Sequence, residues 1–256
     1  MLRNGQFVAL HRSLSFRSRR PFAVTGELVV LEPAAFASQA ARRVAREIRR
    51  VLQSKDRCSL ALSGGTTPQP VYQLLPATLP DPETWSRIDL YFADERCVPP
   101  DHPASNFAMV RESLLDRAPI SPGQVHRMEG ERPDPDAAAT AYEAILPGRL
   151  DLVLLGLGED GHIASLFPGA RSLAETRRRV LAVVGPKPPR ERLTITPPVI
   201  RDAGLTIGLV SGAGKAEALA RVMDGTGDPE STPGRLARAG LWIVDTAAAV
   251  RLKARR

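Results

Sequence analysis

Cysteine is nearly absent: the 256 residues hold two, Cys58 and Cys97. Two such thiols form no disulfide framework and have no metal-ligand spacing, so both are expected to stay reduced in a cytoplasmic protein. Long apolar runs are missing too. None approaches the ~18–20 residues of a membrane span, and Phe7-Val8-Ala9-Leu10 is too short for a secretory signal core. Histidine is scarce, at four residues. No His/Cys/carboxylate group has ligand spacing, which predicts no metal and no other cofactor. No internal repeat or low-complexity linker breaks the chain.

The net charge of +7 would suggest nucleic acid if it were spread over one face. It is not. Residues 1–26 carry five arginines and no acid, and residues 251–256 carry four cations. Removing both leaves a body of charge −2, so nucleic-acid binding is not expected. The Arg- and Ser-rich start faintly resembles an organellar transit peptide, but an unstructured extension or an early start codon explains it more simply. The reading is therefore a basic extension (1–26), one domain (27–250) and a basic tail (251–256). The sequence sets no oligomeric state, with a monomer slightly favoured.

Short apolar runs alternate with helical patterns, which predicts an α/β fold with a mostly parallel sheet flanked by helices. Strands are expected at 28–31, 58–62, 88–92, 152–155, 181–184, 193–196, 205–210 and 241–244. Helices are expected at 34–52, 69–75, 105–115, 136–145 and 215–223, with Pro76–Pro82 and Pro186–Pro189 as loops. Ligands of such sheets bind beyond the carboxyl ends of the strands.

Four segments fall there. In Leu62-Ser63-Gly64-Gly65-Thr66-Thr67-Pro68 a strand breaks into glycines and opens a helix, with Thr67 as N-cap and Pro68 at the first helical position. Such a loop either cradles a phosphate or is a plain tight turn. In Asp94-Glu95-Arg96 three charges end a strand; Arg96 suits a phosphate or carbonyl oxygen, and a surface ion-pair cluster is the alternative.

The third segment, Gly156-Leu157-Gly158-Glu159-Asp160-Gly161-His162, matches G-x-G-x-x-G, but Pro168-Gly169 stops any long helix. The next strand also ends without a carboxylate for a ribose, so no dinucleotide is expected. What remains is His162 two residues after Asp160, a base and the carboxylate that can fix its tautomer. His11, His102 and His126 have no comparable context. The fourth segment, Ser211-Gly212-Ala213-Gly214-Lys215-Ala216, is no Walker loop. Lys215 in the first turn of a helix opposes the dipole and is better explained by an anion placed there. Arg192 is a weaker candidate for the same task.

Taken in order, Leu62–Pro68, Asp94–Pro99 with Ser105-Asn106, Gly156–Gly169, Arg192-Leu193-Thr194 and Ser211–Ala216 resemble the glucosamine-6-phosphate isomerase/6-phosphogluconolactonase family from about Gly26 to Asp245. The resemblance implies a Rossmann-like fold and metal-free hydrolysis of a sugar-phosphate lactone, 6-phospho-D-glucono-1,5-lactone, in the oxidative pentose phosphate pathway. His162 would activate water, with Asp160 and Arg96 completing the catalytic set. Ser63, Gly64, Gly65, Thr66, Asp94, Arg192 and Lys215 would hold the substrate and its phosphate. The deaminases of the family follow the histidine loop with an Asn-Glu-Pro sequence. Here Ser165-Leu166-Phe167-Pro168 has no carboxylate, which favours the lactonase. A sugar-phosphate-sensing regulator would need a helix-turn-helix module that the first 26 residues cannot hold.

Overall fold

Strands that are apolar along most of their length must be covered on both faces, and the central strands of the sheet are of this kind. The computed structural model describes residues 26–224 and 226–253. Six strands form one all-parallel sheet: β1 (Glu27–Leu31), β2 (Cys58–Leu62), β3 (Ile88–Phe92), β5 (Leu152–Gly156), β8 (Leu205–Val210) and β9 (Leu241–Asp245). Their spatial order is β1-β9-β8-β5-β2-β3. Every residue of β2 and β9 is buried. The remaining strands, β4 (Asp94–Arg96), β6 (Val180–Val184) and β7 (Glu191–Ile195), make a small antiparallel sheet in the order β4-β7-β6.

The helices are α1 (Pro33–Leu52), α2 (Gln69–Thr78), α3 (Pro82–Ser86), α4 (Asn106–Ser113), α5 (Pro135–Ile145), α6 (Pro197–Asp202), α7 (Ala216–Met223) and α8 (Thr246–Ala249). In α1, Ala40, Ala41, Val44, Ala45 and Ile48 form the buried stripe, while Arg42, Arg46, Arg49 and Arg50 face solvent. That division is the helical period read off the chain. Among the described residues no helix is long and apolar enough to cross a membrane.

Three expectations need correction. The helix after the first glycine loop begins at Gln69 with Pro68 as N-cap, and no side chain caps it. Residues 66–68 already form a turn that winds straight into the helix, so Thr67 caps nothing. The same helix runs through Pro76 to Thr78, because Leu75 and Leu79 are both buried and hold its last turn against the core. Lys215 closes a 3-10 turn (213–215) and is the N-cap of α7, one position before the helix proper. Strand β4 and helices α3, α6 and α8 were not foreseen; each is six residues or fewer, too short to display a period. Expectations for residues 1–25 and 254–256 lie outside the described residues.

Where strands cross closely, glycine is required. A Cβ at Gly208 of β8 would lie 2.4 Å from Cε3 of Trp242 on β9, whose indole N–H donates to the Ala237 carbonyl at 3.0 Å. Gly208→Ala should therefore overpack the core and cost about 1–3 kcal/mol. Thermal unfolding should fall by about 2–4 °C for each kcal/mol, with KM unchanged because Gly208 lies away from the cavity described next. Wild-type stability in this variant would show that the indole yields freely.

Candidate active site

Four strands of the parallel sheet, β2, β3, β5 and β8, run out at one edge into the four segments singled out above. These loops, with β4 and β7, line an open cavity of about 190 Å³. Ser63, Gly64, Gly65, Thr66, Asp94, Arg96, His162, Arg192 and Lys215 all line it. Asp160 stands behind His162. Thus residues scattered over 150 positions of sequence meet at the carboxyl edge.

The first loop is held open by its neighbours. Ser63 is buried and its hydroxyl donates to the Leu154 carbonyl at 2.8 Å, so it joins β2 to β5. The Tyr72 hydroxyl donates to the Ser63 carbonyl at 2.9 Å, clamping the loop onto α2. Gly65 has φ +106°, and a Cβ at Gly64 would fall 1.8 Å from Oδ1 of Asn106. The two glycines are thus demanded by backbone shape and by close approach, respectively.

Next comes a buried acidic pair. Asp94 accepts from Ser165 Oγ at 2.6 Å and from Asn106 Nδ2 at 3.1 Å, so its carboxylate anchors the wall it belongs to. Glu95 accepts from the backbone N–H groups of Arg96, Asn106 and Phe107, each at 2.7 Å, and from Ser105 Oγ at 3.0 Å. Burial pushes the Glu95 carboxyl above its ordinary value, and those N–H groups pull it back. Glu95 fastens α4 beneath the cavity. Its charge hid that role in the sequence, where it read as a ligand contact or a surface ion pair.

Arg96 and Arg192 sit directly opposite each other in the β4–β7 register. Like charges in that relation repel, and burial together with Arg96 lowers the Arg192 pKa. Arg96 donates to the Ala104 carbonyl at 2.5 Å, and its Nε is buried with no partner. Arg192 donates from Nε to the Pro189 carbonyl at 3.1 Å and from a terminal nitrogen to Lys187 at 3.3 Å. Carbonyls hold both forks without neutralising them. Among the described residues the Lys215 ammonium has no hydrogen bond or ion pair, though its backbone N–H donates to the Gly212 carbonyl at 3.0 Å, while Asp245 takes Ser211 Oγ and Gly212 N–H to fix the loop before it. Three cations on one cavity make a site for an anion.

The base loop is equally determined. The His162 Nδ1 lies 2.5 Å from Asp160 Oδ1, and the same oxygen accepts the His162 backbone N–H at 3.1 Å. A carboxylate on Nδ1 places the proton there and leaves Nε2 as the basic nitrogen. Gly161 has φ +94°, and a Cβ at Gly158 would lie 2.0 Å from the imidazole. Glycine at both positions lets the ring fold back over the loop. Burial alone would raise the Asp160 pKa, but hydrogen bonds from the His162 side chain and backbone bring it down to about 2.

Asn106, Phe167 and Asp245 were not singled out as site residues. Asn106 and Phe167 lie inside the motifs, but neither side chain is a natural acid, base or cation, so nothing local marked them. The other histidines lie apart: His126 stacks on Tyr91 at 4.5 Å, and His102 Nδ1 accepts from the Ala104 N–H. His11 is outside the described residues. No group of three or more metal-ligating side chains occurs among the described residues.

A parallel α/β sheet flanked by helices, with a carboxylate-oriented histidine and three cations gathered at its carboxyl edge, places the protein in the Rossmann-like class. The family model described as glucosamine-6-phosphate isomerases/6-phosphogluconolactonase matches residues 31–244. The chain belongs to this family. A Nostoc sp. protein named 6-phosphogluconolactonase is 39% identical over 215 residues, covering 78% of this chain and 87% of that one. The Trypanosoma cruzi 6-phosphogluconolactonase structure superposes with TM-score 0.77 at 29% identity, covering 91% of this chain and 98% of the other. A monomeric glucosamine-6-phosphate deaminase shares the fold with TM-score 0.76 at 23% identity, covering 88% and 99%.

The Asp160 contact generates a prediction with a sign. Its pKa is depressed from 3.8 to about 2, so the pairing contributes stability above the ordinary value and loses it as pH falls toward 2. Asp160→Asn should lower kcat by on the order of 10²-fold near neutral pH, since the tautomer is no longer held. The stability gap between variant and wild type should close as pH falls from about 4 toward 2. A gap that persists at pH 2 would assign the stabilisation to another group.

Proposed function

We propose that the protein hydrolyses 6-phospho-D-glucono-1,5-lactone to 6-phospho-D-gluconate, with His162 as general base. The observation that carries this reading is the His162–Asp160 pair, whose Nε2 is left basic on a cavity walled by three cations without a carboxylate partner. A phosphorylated lactone supplies what that arrangement needs: an anion for the cations and an activated carbonyl for water.

In the proposed reaction His162 Nε2 takes a proton from water as the oxygen attacks the lactone carbonyl. The carbonyl becomes a tetrahedral oxyanion, which Arg96 and loop N–H groups stabilise more strongly than the neutral carbonyl. Collapse breaks the ring C–O bond, and the imidazolium returns its proton to the leaving ring oxygen. Lys215, Arg192 and the Gly64-Gly65-Thr66 loop hold the remote phosphate and so fix the carbonyl against the water. Asp94 and Ser63 anchor the wall through Ser165, Asn106 and Leu154, and each keeps acceptor lone pairs on the cavity for the substrate.

The reading excludes amine chemistry on residue grounds. Ser165, in the stretch where the resemblance to the deaminases would need a glutamate, spends its hydroxyl on Asp94, and Leu166 is buried. The site draws all its residues from one chain, which fits a monomer acting as the single domain 27–250. A cytoplasmic location accords with two unpaired thiols, one buried and one half-buried.

Freshly generated lactone, coupled to oxidation of the product, tests the reaction directly. The wild-type protein should exceed spontaneous hydrolysis, and His162→Ala should lose about 10²–10⁴-fold in kcat while remaining folded. Ammonia release from glucosamine 6-phosphate without lactone turnover would overturn the assignment. Lys215→Ala should cost about one to two decades in kcat/KM on the phosphorylated lactone, equivalent to one charge-assisted contact, yet barely alter slow hydrolysis of unphosphorylated gluconolactone. Equal losses on both substrates would move the phosphate elsewhere.

A further inference from the structure

The histidine and one of the cations share a neighbour that neither acid–base chemistry nor charge explains. The Phe167 ring lies 4.8 Å from the His162 imidazole, tilted by 46°. The Arg192 guanidinium carbon sits over the same ring, 5.6 Å from its centre. Phe167 is five residues past the histidine, on the far side of the turn that buries Ile163, Ser165 and Leu166. Arg192 comes from a strand of the antiparallel sheet. The ring is thus a point where the base loop and the arginine strand touch.

The back of the ring is walled. A Cβ at Gly185, just after β6, would lie 2.9 Å from Arg192 Nε, 3.1 Å from Phe167 Cζ and 3.2 Å from Cε2. Gly185 itself is tied down, its N–H donating to the Arg190 carbonyl at 2.7 Å. A face-on guanidinium is held by the ring quadrupole, and Arg192 has only two backbone carbonyls besides. The imidazole is held on one side by Asp160 and on another by the ring. With Asp160 alone it could swing about the single Nδ1 contact.

We propose that Phe167 is a positioning residue that sets His162 and Arg192 relative to each other, so that the base and the anion-holding cation are spaced through one shared ring. This rests on the roles given above to His162 and Arg192. Phe167 touches no reacting atom in this scheme. Its effect passes through the two polar side chains, and it should therefore appear in both kcat and KM.

The test is a double-mutant cycle on full-length protein, read by lactone kinetics and by calorimetric binding of 6-phosphogluconate. Phe167→Leu keeps the apolar volume but removes the ring face; KM and the product Kd should each rise about fivefold, and kcat should fall about tenfold. Phe167→Tyr, which keeps the ring, should stay within about twofold of wild type. In an Arg192→Ala background, Phe167→Leu should change KM and Kd by less than about twofold and still lower kcat. Gly185→Ala probes the same contact from behind, since the guanidinium and ring must each give by a few tenths of an ångström; it should raise KM and lower kcat even if Phe167→Leu fails to fold.

Fully additive penalties with Arg192→Ala would overturn the proposal, as would Phe167→Tyr impaired like Phe167→Leu or Gly185→Ala with wild-type kinetics. Lactone turnover by the wild-type protein tests the assigned reaction separately. Product binding reports on the ring–arginine coupling without any turnover.

Discussion

One buried carboxylate holds the site together. Asp94 stands where β3 gives way to β4, and its two oxygens reach two other elements: Ser165 of the histidine loop and Asn106 at the start of α4. Asn106 in turn packs its amide oxygen against the backbone of Gly64, the first glycine of the anion loop. The next residue, Glu95, caps α4 with both oxygens. Three loops that are far apart in sequence are therefore indexed to one short strand. Burying a carboxylate costs several kcal/mol unless its lone pairs are matched. Here they are matched by the groups whose placement matters, and that is how rigidity reaches the cavity.

The cations show the opposite strategy. Arg96 and Arg192 face each other across the β4–β7 ladder, and Lys215 caps a helix whose dipole opposes it. Acidic side chains are nearby, yet Asp94, Glu95 and Asp245 spend their oxygens on backbone N–H groups, amides and hydroxyls instead of on these cations. Among the described residues none of the three cations is in a salt bridge, though Asp94 faces Arg192 across the cavity, whereas Arg43 and Arg57 pair with Glu27 and Asp89. In the proposed reaction a phosphate or an oxyanion would relieve the repulsion between these cations, so anion binding and electrostatic stabilisation would draw on the same feature.

Much of this was legible in the chain because it is encoded locally. Runs such as Leu152–Leu155 announce buried parallel strands, and the glycines at 64–65, 156–158 and 212–214 mark where the strands end and ligands enter. Asp160 and His162 are two residues apart, so their pairing needed no tertiary information. What stayed hidden depends on distant partners. Ser63 looked like part of a phosphate loop, but Leu154 on the next strand takes its hydroxyl. Asp94 read as a substrate contact, and its further role as an anchor depends on Ser165, 71 residues on. Strand β4 has three residues, and only its partner β7 makes it a strand. The start of α2 at Gln69 was legible, but its cap was not, because Thr67 and Pro68 carry capping propensities that the preceding turn overrides.

The same network bears on why a fold shared with deaminases suits hydrolysis here. Moving protons around an amine at a sugar carbon needs more than one acid–base group near the ring, whereas water attack on a lactone needs one. In this cavity the single uncommitted base is His162 Nε2. Asp94, the one carboxylate lining the cavity among the described residues, and Glu95 beside it hold loops, and Asp160 behind His162 contacts its Nδ1. Converting either anchor into a proton shuttle would release Ser165, Asn106 or α4 and loosen the loops that define the cavity. These acids are thus bound into the architecture, which is what the proposed one-base reaction at an activated carbonyl requires.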